Sequence, residues 1–145
     1  MSNKYAASNN AGRERLEKLI SRLSENDYTR SVGTSGWNVA AALGHLAFYD
    51  RRASVLIARY RKDGVKPSES DTDVINDALA LLCAGVGSAM GRIAREAAIA
   101  CDRDIDQIPA DLLARMETKD SSVRLDRGLH RAHHLDLIEK ALGGK

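Results

Sequence analysis

Apolar residues recur along this chain at the three- and four-residue spacing of amphipathic helices, and this pattern predicts its elements. The first helix is expected to follow a polar, frayed start at residues 1–10, and Tyr28 is expected to close over its end. The apolar face of this helix would carry Leu16, Leu19, Ile20 and Leu23. No segment of useful length alternates with the period of a β-strand.

A second helix is predicted from Val39 to about Lys62. Its buried side would carry Val39, Ala42, Leu46, Tyr49, Ala53, Leu56, Ile57 and Tyr60. A loop of mostly small residues at 31–36 is expected to lead into it. Asn38 is suited to cap its first turn, with Trp37 packed just outside the cap.

A third helix is predicted after a loop at residues 63–70 that contains Gly, Pro and Ser, and Asp71 or Thr72 would cap it. Its buried side would carry Ile75, Leu79, Leu82, Val86, Met90, Ile93 and Ala97. Three glycines interrupt this side, at Gly85, Gly87 and Gly91. They indicate either a kink or the close approach of a neighbouring helix.

Two more helices are predicted in the last third of the chain. Pro109 suits the first turn of a short helix, Ala110–Met116. A joint at residues 117–119 separates it from the last helix, Asp120 to Leu142, which would begin near Asp120 or Ser121 and end before two glycines.

These elements predict an all-α fold, most simply a four-helix bundle, in one domain over residues 1–145. The net charge is only +2 and aromatic residues make up 4%, so nucleic-acid binding is not expected. No secretory leader or long apolar run is present, which predicts a soluble cytoplasmic protein that does not bind membranes. Cys83 and Cys101 would lie in one helix about 27 Å apart, too far for a disulfide.

Three of the four histidines lie in the last predicted helix, and they are the main candidates for chemistry. His130 and His134 would be one turn apart, with Cβ atoms roughly 5–6 Å apart, so that both imidazoles could bind one cation. The same face would carry Val123, Arg127, Leu137, Ile138 and Ala141. His133 would lie on the flank, where it could compete as a ligand or support one. A tight site needs a third ligand, and His45 is the remaining histidine.

His45 lies at the edge of the buried side of the second helix, where a lone histidine is usually a hydrogen-bonded boundary residue. In a bundle whose second and last helices run parallel, His45 would lie about 10 Å along its helix, and His130 and His134 about 13–20 Å along theirs. These levels are compatible with convergence in the interior, which is where helix bundles build metal sites.

The order of these motifs resembles the DinB/YfiT-like superfamily over almost the whole chain. The motifs are Gly-Trp-Asn-Val at residues 36–39, Leu-Gly-His-Leu at 43–46, the pair His130 and His134, and Ile138. The resemblance implies a four-helix bundle with a mirrored up-and-down arrangement, often a homodimer, and a divalent metal held by three histidines. By position these are His45, His130 and His134. Some relatives are thiol-dependent S-transferases or maleylpyruvate isomerases that use mycothiol or bacillithiol.

Three neutral imidazoles without a fourth protein ligand would leave an open position on the metal, as in catalytic sites. Zinc is the default ion, and nickel or iron would accept the same ligands. Such a metal could activate water for hydrolysis or hold a thiol as its thiolate. Hydrolysis usually needs a carboxylate beside the metal, and the last helix has none between His130 and His134. The nearest candidates on the second helix, Asp50 and Tyr49, are not well placed by periodicity. Transfer of a low-molecular-weight thiol to a small electrophile is therefore favoured.

Further residues are assigned roles around this site. Arg127, one turn before His130, is predicted to bind a substrate carboxylate, or else to be a surface residue whose stem covers the helix. Tyr49 is a second candidate for contact with a small-molecule substrate, while Asp50 and His133 are candidates for supporting the ligands. Two alternative functions stay open, a non-enzymatic metal-binding module of the stress response and a metal-dependent hydrolase.

Overall fold

The computed structural model describes residues 3–64, 71–117 and 123–143, most of which are helical. The helices are α1 (Ala6–Arg22), α2 (Val39–Asp63), α3 (Thr72–Cys83), α4 (Ala89–Asp106), α5 (Ala110–Met116) and α6 (Arg127–Ala141). A 3₁₀ helix, Glu25–Thr29, and an antiparallel pair of two-residue strands, β1 (Ser31–Val32) and β2 (Trp37–Asn38), connect α1 to α2. The all-α prediction is confirmed, and the four-helix bundle topology stays a prediction.

Helix α2 is central to the packing. It lies mainly against α4 and also contacts α3 and α6, while α1 lies mainly against α6. Its predicted bounds are confirmed because both end signals are present. Asn38 Oδ1 accepts a hydrogen bond from Ala41 N at 2.8 Å, and Gly64 ends the helix at φ +62°. Every residue from Val39 to Ala47 is buried. Within the described ranges, no helix combines the length and apolar character needed to cross a membrane.

The predicted frayed start is wrong, because α1 begins at Ala6. The polar residue Asn9 is 1% exposed and donates through Nδ2 to Leu125 O at 3.0 Å. Its hydrogen bonds to the other end of the chain therefore stabilise a segment that its polarity alone would leave loose.

The prediction of a single third helix is also wrong. The chain leaves the helix after Cys83, passes through Gly87 at φ +73°, and begins α4 at Ala89. Of the predicted buried side, Met90 and Ala97 are buried as expected, but other members on both sides of the break are not. Leu82, Val86 and Ile93 are 74%, 40% and 38% exposed. The two cysteines consequently lie in separate helices, and both are free and buried.

Helix α6 begins at Arg127, later than the predicted Asp120 or Ser121. Val123 and Leu125 are buried in the non-helical segment before it, so Val123 does not belong to the helix face. Leu137 is 37% exposed, because the buried side carries Arg131 and Leu135 instead. The predicted loop at 65–70, the residues 118–122 around the second joint, and the last two residues lie outside the described residues.

Candidate metal centre

The start of α6 is fixed against α1, and this contact sets the direction of the histidines. Oδ1 of Asn9 accepts hydrogen bonds from the backbone amides of Arg127 at 2.7 Å and Gly128 at 3.0 Å. A Cβ on Gly128 would collide with the Ser8 carbonyl, and one on Gly12 would come within 3.0 Å of Gly128 Cα. The two glycines thus allow α1 and α6 to pack closely. Asn9 accepts hydrogen bonds from amides at the start of α6 that have no acceptor within the helix itself.

The structure brings His45, from the first turns of α2, next to His130 and His134 of α6. One nitrogen of each ring lies within 4.8 Å of the others. The Nε2 atoms of His45 and His130 are 3.2 Å apart. Two nitrogens bound to one tetrahedral zinc at about 2.0–2.1 Å would be roughly 3.3 Å apart, so the spacing fits a shared ion. These three histidines can therefore hold a metal, and that they do so stays a prediction.

Aromatic rings surround the three imidazoles. The Trp37 ring lies 5.0 Å from His45 and stacks on His134 at 6.4 Å between centroids. The Tyr49 ring lies 4.7 Å from His45, and its hydroxyl donates to Asn76 Oδ1 on α3 at 3.0 Å. The sequence predicts Trp37 just outside the cap of α2 and carries no signal for its contact with the histidines.

Burial keeps the three imidazoles neutral. It is the main cause that lowers the pKa of His45 to about 4, that of His130 to about 2 and that of His134 to about 3. The Arg127 guanidinium also lowers the pKa of His45 and His130. Neutral imidazole is the form that binds a metal, so metal binding at pH 7 needs no net release of protons from the rings.

One nitrogen of this cluster, Nδ1 of His45, is buried and has no hydrogen-bond partner among the residues that the structure describes. Leaving a buried polar atom unpaired costs about 1–3 kcal/mol, and structures retain such atoms where function or a missing partner explains them. The side chain itself is 6% exposed. This unpaired atom in the histidine cluster is therefore consistent with a ligand-binding site.

Arg127 is buried, at 4% exposure, so the surface interpretation of this residue is wrong. Its Nε donates to Asp50 Oδ1 at 2.8 Å, and its Nη2 lies 2.9 Å from Nδ1 of His130. Its Nη1 is only 3.4 Å from the carbonyl oxygen of Arg124, which is a long contact. Binding of a substrate carboxylate by Arg127 stays a prediction.

A second group of buried charges, which was not predicted, lies beside the histidines. Arg131 is fully buried; its Nη1 and Nη2 donate to the two carboxylate oxygens of Asp102 at 2.9 and 2.8 Å. Its Nη2 also donates to Asp50 Oδ2 at 3.1 Å. Arg13 donates to Asp102 at 2.6 Å. Charged residues in the middle of a helix usually indicate a solvated face, so the sequence carries no signal for this arrangement.

Asp50 and His133, which were predicted to support the metal ligands, have less direct contacts with them. Asp50 contacts His130 only through Arg127, because Arg127 and Arg131 occupy its oxygens. His133 is exposed, and its ring centroid lies 5.0 Å from that of His134. It is not one of the three clustered histidines.

The histidines border a cavity of about 820 Å³ between α2, α6 and the segment that precedes α6. His45, His130 and Tyr49 lie on its wall, together with two arginines, Arg52 and Arg124. A small organic molecule fits such a volume. The cavity therefore gives a ligand access to two of the three imidazoles.

Residues 10–137 match the model of a family described as the mycothiol maleylpyruvate isomerase N-terminal domain. No curated protein and no solved structure matches the chain.

Proposed function

The chain belongs to the family of the mycothiol maleylpyruvate isomerase N-terminal domain, within the DinB/YfiT-like superfamily, and on this premise we propose that it is a divalent-metal-dependent enzyme. Its reaction would be the transfer of a low-molecular-weight thiol to a small electrophile. The observation that carries the proposal is the convergence of three neutral imidazoles, two of which, His45 and His130, lie on the wall of a cavity. The proposal includes the four-helix bundle topology that the superfamily resemblance implies.

His45, His130 and His134 would hold the ion, with zinc as the default and nickel or iron as acceptable alternatives. With three protein ligands, such a site would leave room for a thiol sulfur, and the ion would supply the charge that stabilises the thiolate at neutral pH. Trp37 packs against two of the imidazoles and limits the access of water from that side.

The cavity wall would bind and orient the two reactants. Arg52 and Arg124 line it, and neither forms an ion pair with another residue in the described part of the chain. Together with Nη1 of Arg127, they offer donors to carboxylate groups of the thiol or the electrophile. Tyr49 presents its ring and hydroxyl on the same wall.

The carboxylates near the histidines do not favour hydrolysis. Both oxygens of Asp50 accept hydrogen bonds from buried arginines. On the cavity wall, Glu117 accepts from Tyr5 Oη at 2.7 Å, and Asp126 caps α6 by accepting from Leu129 N at 3.1 Å. Within the described residues, each carboxylate on this wall therefore has another partner, which makes it a weaker acceptor for the proton of a water molecule.

The test compares thiol-dependent and thiol-independent turnover. Zinc-loaded protein is incubated with mycothiol and a chromogenic aryl halide, and separately with chromogenic esters and amides. The expected result is a thioether product and released halide only when mycothiol and zinc are both present. Ester or amide hydrolysis without thiol would instead assign a metal-dependent hydrolase. Bound metal with no turnover of either substrate class would assign a non-enzymatic metal-binding module.

A further inference from the structure

The contact between Arg127 and His130 determines which ring nitrogen of His130 carries its proton. Nη2 of Arg127 lies 2.9 Å from Nδ1 of His130. A guanidinium stays charged at physiological pH and can only donate hydrogen bonds. Nδ1 must therefore accept this bond, and the proton of the neutral ring lies on Nε2.

The ring proton of His45 can be placed in the same way. Its Nε2 lies 3.2 Å from Nε2 of His130, and one of the two atoms must donate to the other. Because His130 carries its proton there, Nε2 of His45 accepts and its own proton lies on Nδ1. That Nδ1 is the buried atom without a partner. The three side chains thus form one directed series of donors, from Arg127 to His130 to His45.

In this arrangement His130 offers no free lone pair to a cation. Its Nε2 carries the proton, and the lone pair of Nδ1 accepts from Arg127. If Nε2 binds a metal, the ring proton must lie on Nδ1, where it would face the N–H of Arg127 across 2.9 Å. Two donors at this distance repel each other, so the contact seen here cannot persist beside a metal bound to Nε2.

We propose that Arg127 is a positioning residue that holds His130 in the tautomer unable to bind metal, and that metal binding displaces its Nη2 from Nδ1. The exchange needs no net change in protons, since Nε2 loses one and Nδ1 gains one from water. Nε of Arg127 can keep its bond to Asp50 while Nη2 turns to the cavity, which Arg127 already lines. Metal loading would thereby free Nη2 to bind a substrate carboxylate together with Nη1, so that metal precedes substrate. This inference rests on the metal site of the proposed function.

The first test measures the tautomers directly. Long-range ¹H–¹⁵N correlation spectra distinguish Nδ1–H from Nε2–H imidazoles, and His133→Ala helps to assign the signals. In the metal-free protein we expect the Nε2–H form for His130 and the Nδ1–H form for His45. One equivalent of Zn²⁺ should convert His130 to the Nδ1–H form. An Nδ1–H form of His130 in the metal-free protein would overturn the inference, whether or not the protein binds zinc.

The second test measures zinc affinity by competition with a chromophoric chelator. Arg127→Gln replaces the opposing donor by a carbonyl that can accept from Nδ1–H of His130. We therefore expect zinc to bind about tenfold more tightly, an effect of the size that hydrogen-bond partners of metal ligands usually have on metal affinity. Arg124→Gln is the matched control, because it removes a charge from the same cavity wall without touching His130, and we expect a change under about threefold. Equal tightening in both variants, or none with Arg127→Gln, would overturn the inference.

The two tests also separate this inference from the proposed function. Absence of zinc binding in every variant would remove the metal site, while the tautomers of the metal-free protein would still decide the role of Arg127. Asp50 keeps its bonds to Arg131 in Arg127→Gln, which supports the fold of the variant. If Arg127→Gln does not fold, the spectra of the unaltered protein decide the inference alone.

Discussion

Two polar clusters lie side by side between α2 and α6, and they differ in how completely their atoms are paired. The arginine–aspartate cluster consists of Arg131, Asp50 and Asp102, and all three guanidinium nitrogens of Arg131 donate to carboxylates. The histidine cluster consists of His45, His130 and His134, borders a cavity, and leaves Nδ1 of His45 unpaired. A polar cluster that satisfies itself stabilises a fold, whereas one with unpaired atoms beside a cavity is suited to a ligand.

Arg127 connects the two clusters. Its Nε donates to Asp50 of the arginine–aspartate cluster, and its Nη2 donates to His130 of the histidine cluster. The comparison therefore predicts that damage to the first cluster lowers stability, while damage to the second changes what the protein binds.

The largest effect is expected from Asp102→Asn. This change removes the charge that pairs with Arg131 and Arg13, and breaking a buried ion pair costs about 3–5 kcal/mol in the free energy of unfolding. Urea unfolding measures it. Glu17→Gln is the control, since its pair with Arg95 lies at the surface and should contribute at most about 1 kcal/mol. A loss below about 1 kcal/mol for Asp102→Asn would contradict the structural role given to this cluster.

The next effect concerns metal content. His45→Ala and His134→Ala each remove one proposed ligand, and zinc affinity should fall by more than the roughly hundredfold that an outer-sphere partner contributes. Elemental analysis of protein purified without a histidine tag should find about one ion per chain in the parent and well under one in both variants. The exposed His133→Ala should match the parent. Equal metal content in all four proteins would rule out the site.

A change of pH is expected to have a smaller effect on the stability of the metal-free protein. The folded pKa values, about 4 for His45, about 2 for His130 and about 3 for His134, lie below 6.5, so the unfolded chain binds more protons. Stability is therefore complete above about pH 6.5 and is lost as the pH falls below it. After allowance for solvent screening, we expect a loss of about 2 kcal/mol between pH 7.5 and 5.5.

Urea unfolding at the two pH values measures this loss. The variants His45→Ala and His134→Ala should each show a weaker pH dependence than the parent, because each removes one titrating group. A parent protein whose stability does not change over this range would show that the imidazoles are not held neutral by the fold.

The smallest effect is expected from Tyr49→Phe. The change removes one partly buried hydrogen bond to Asn76, a loss of about 1 kcal/mol, and keeps the ring beside His45. Metal content should equal that of the parent, while KM for the proposed substrate should rise if the hydroxyl contacts it. Loss of bound zinc in this variant would show that Tyr49 supports the histidine cluster more strongly than its ring contact indicates.

Local signals explain what the sequence could predict. The bounds of α2 and α5 follow from Asn38 and Pro109, which lie next to the helices that they begin. The pairing of His130 with His134 follows from helical spacing, and the inclusion of His45 follows from the order of motifs. Except for the order of motifs, each of these signals lies in the same stretch of chain as the feature that it predicts.

The features that were missed depend on distant partners. The start of α6 is set by Asn9, which is 118 residues from Arg127 along the chain. Arg131 is buried because Asp50 and Asp102 on other helices pair with it, and no apolar pattern indicates such pairing. The break between α3 and α4 interrupts the helix, so periodicity counted through it placed Met90 and Ala97 in the core correctly but Val86 and Ile93 wrongly.

The separation of 85 residues between His45 and His130 makes the site a reporter of folding. A cation bound by both would close a long loop, which neither helix alone could do. Cobalt(II), which absorbs visible light when imidazoles coordinate it, would therefore colour only molecules in which α2 and α6 have docked. During refolding, the growth of that absorption would time the docking step separately from the formation of the helices.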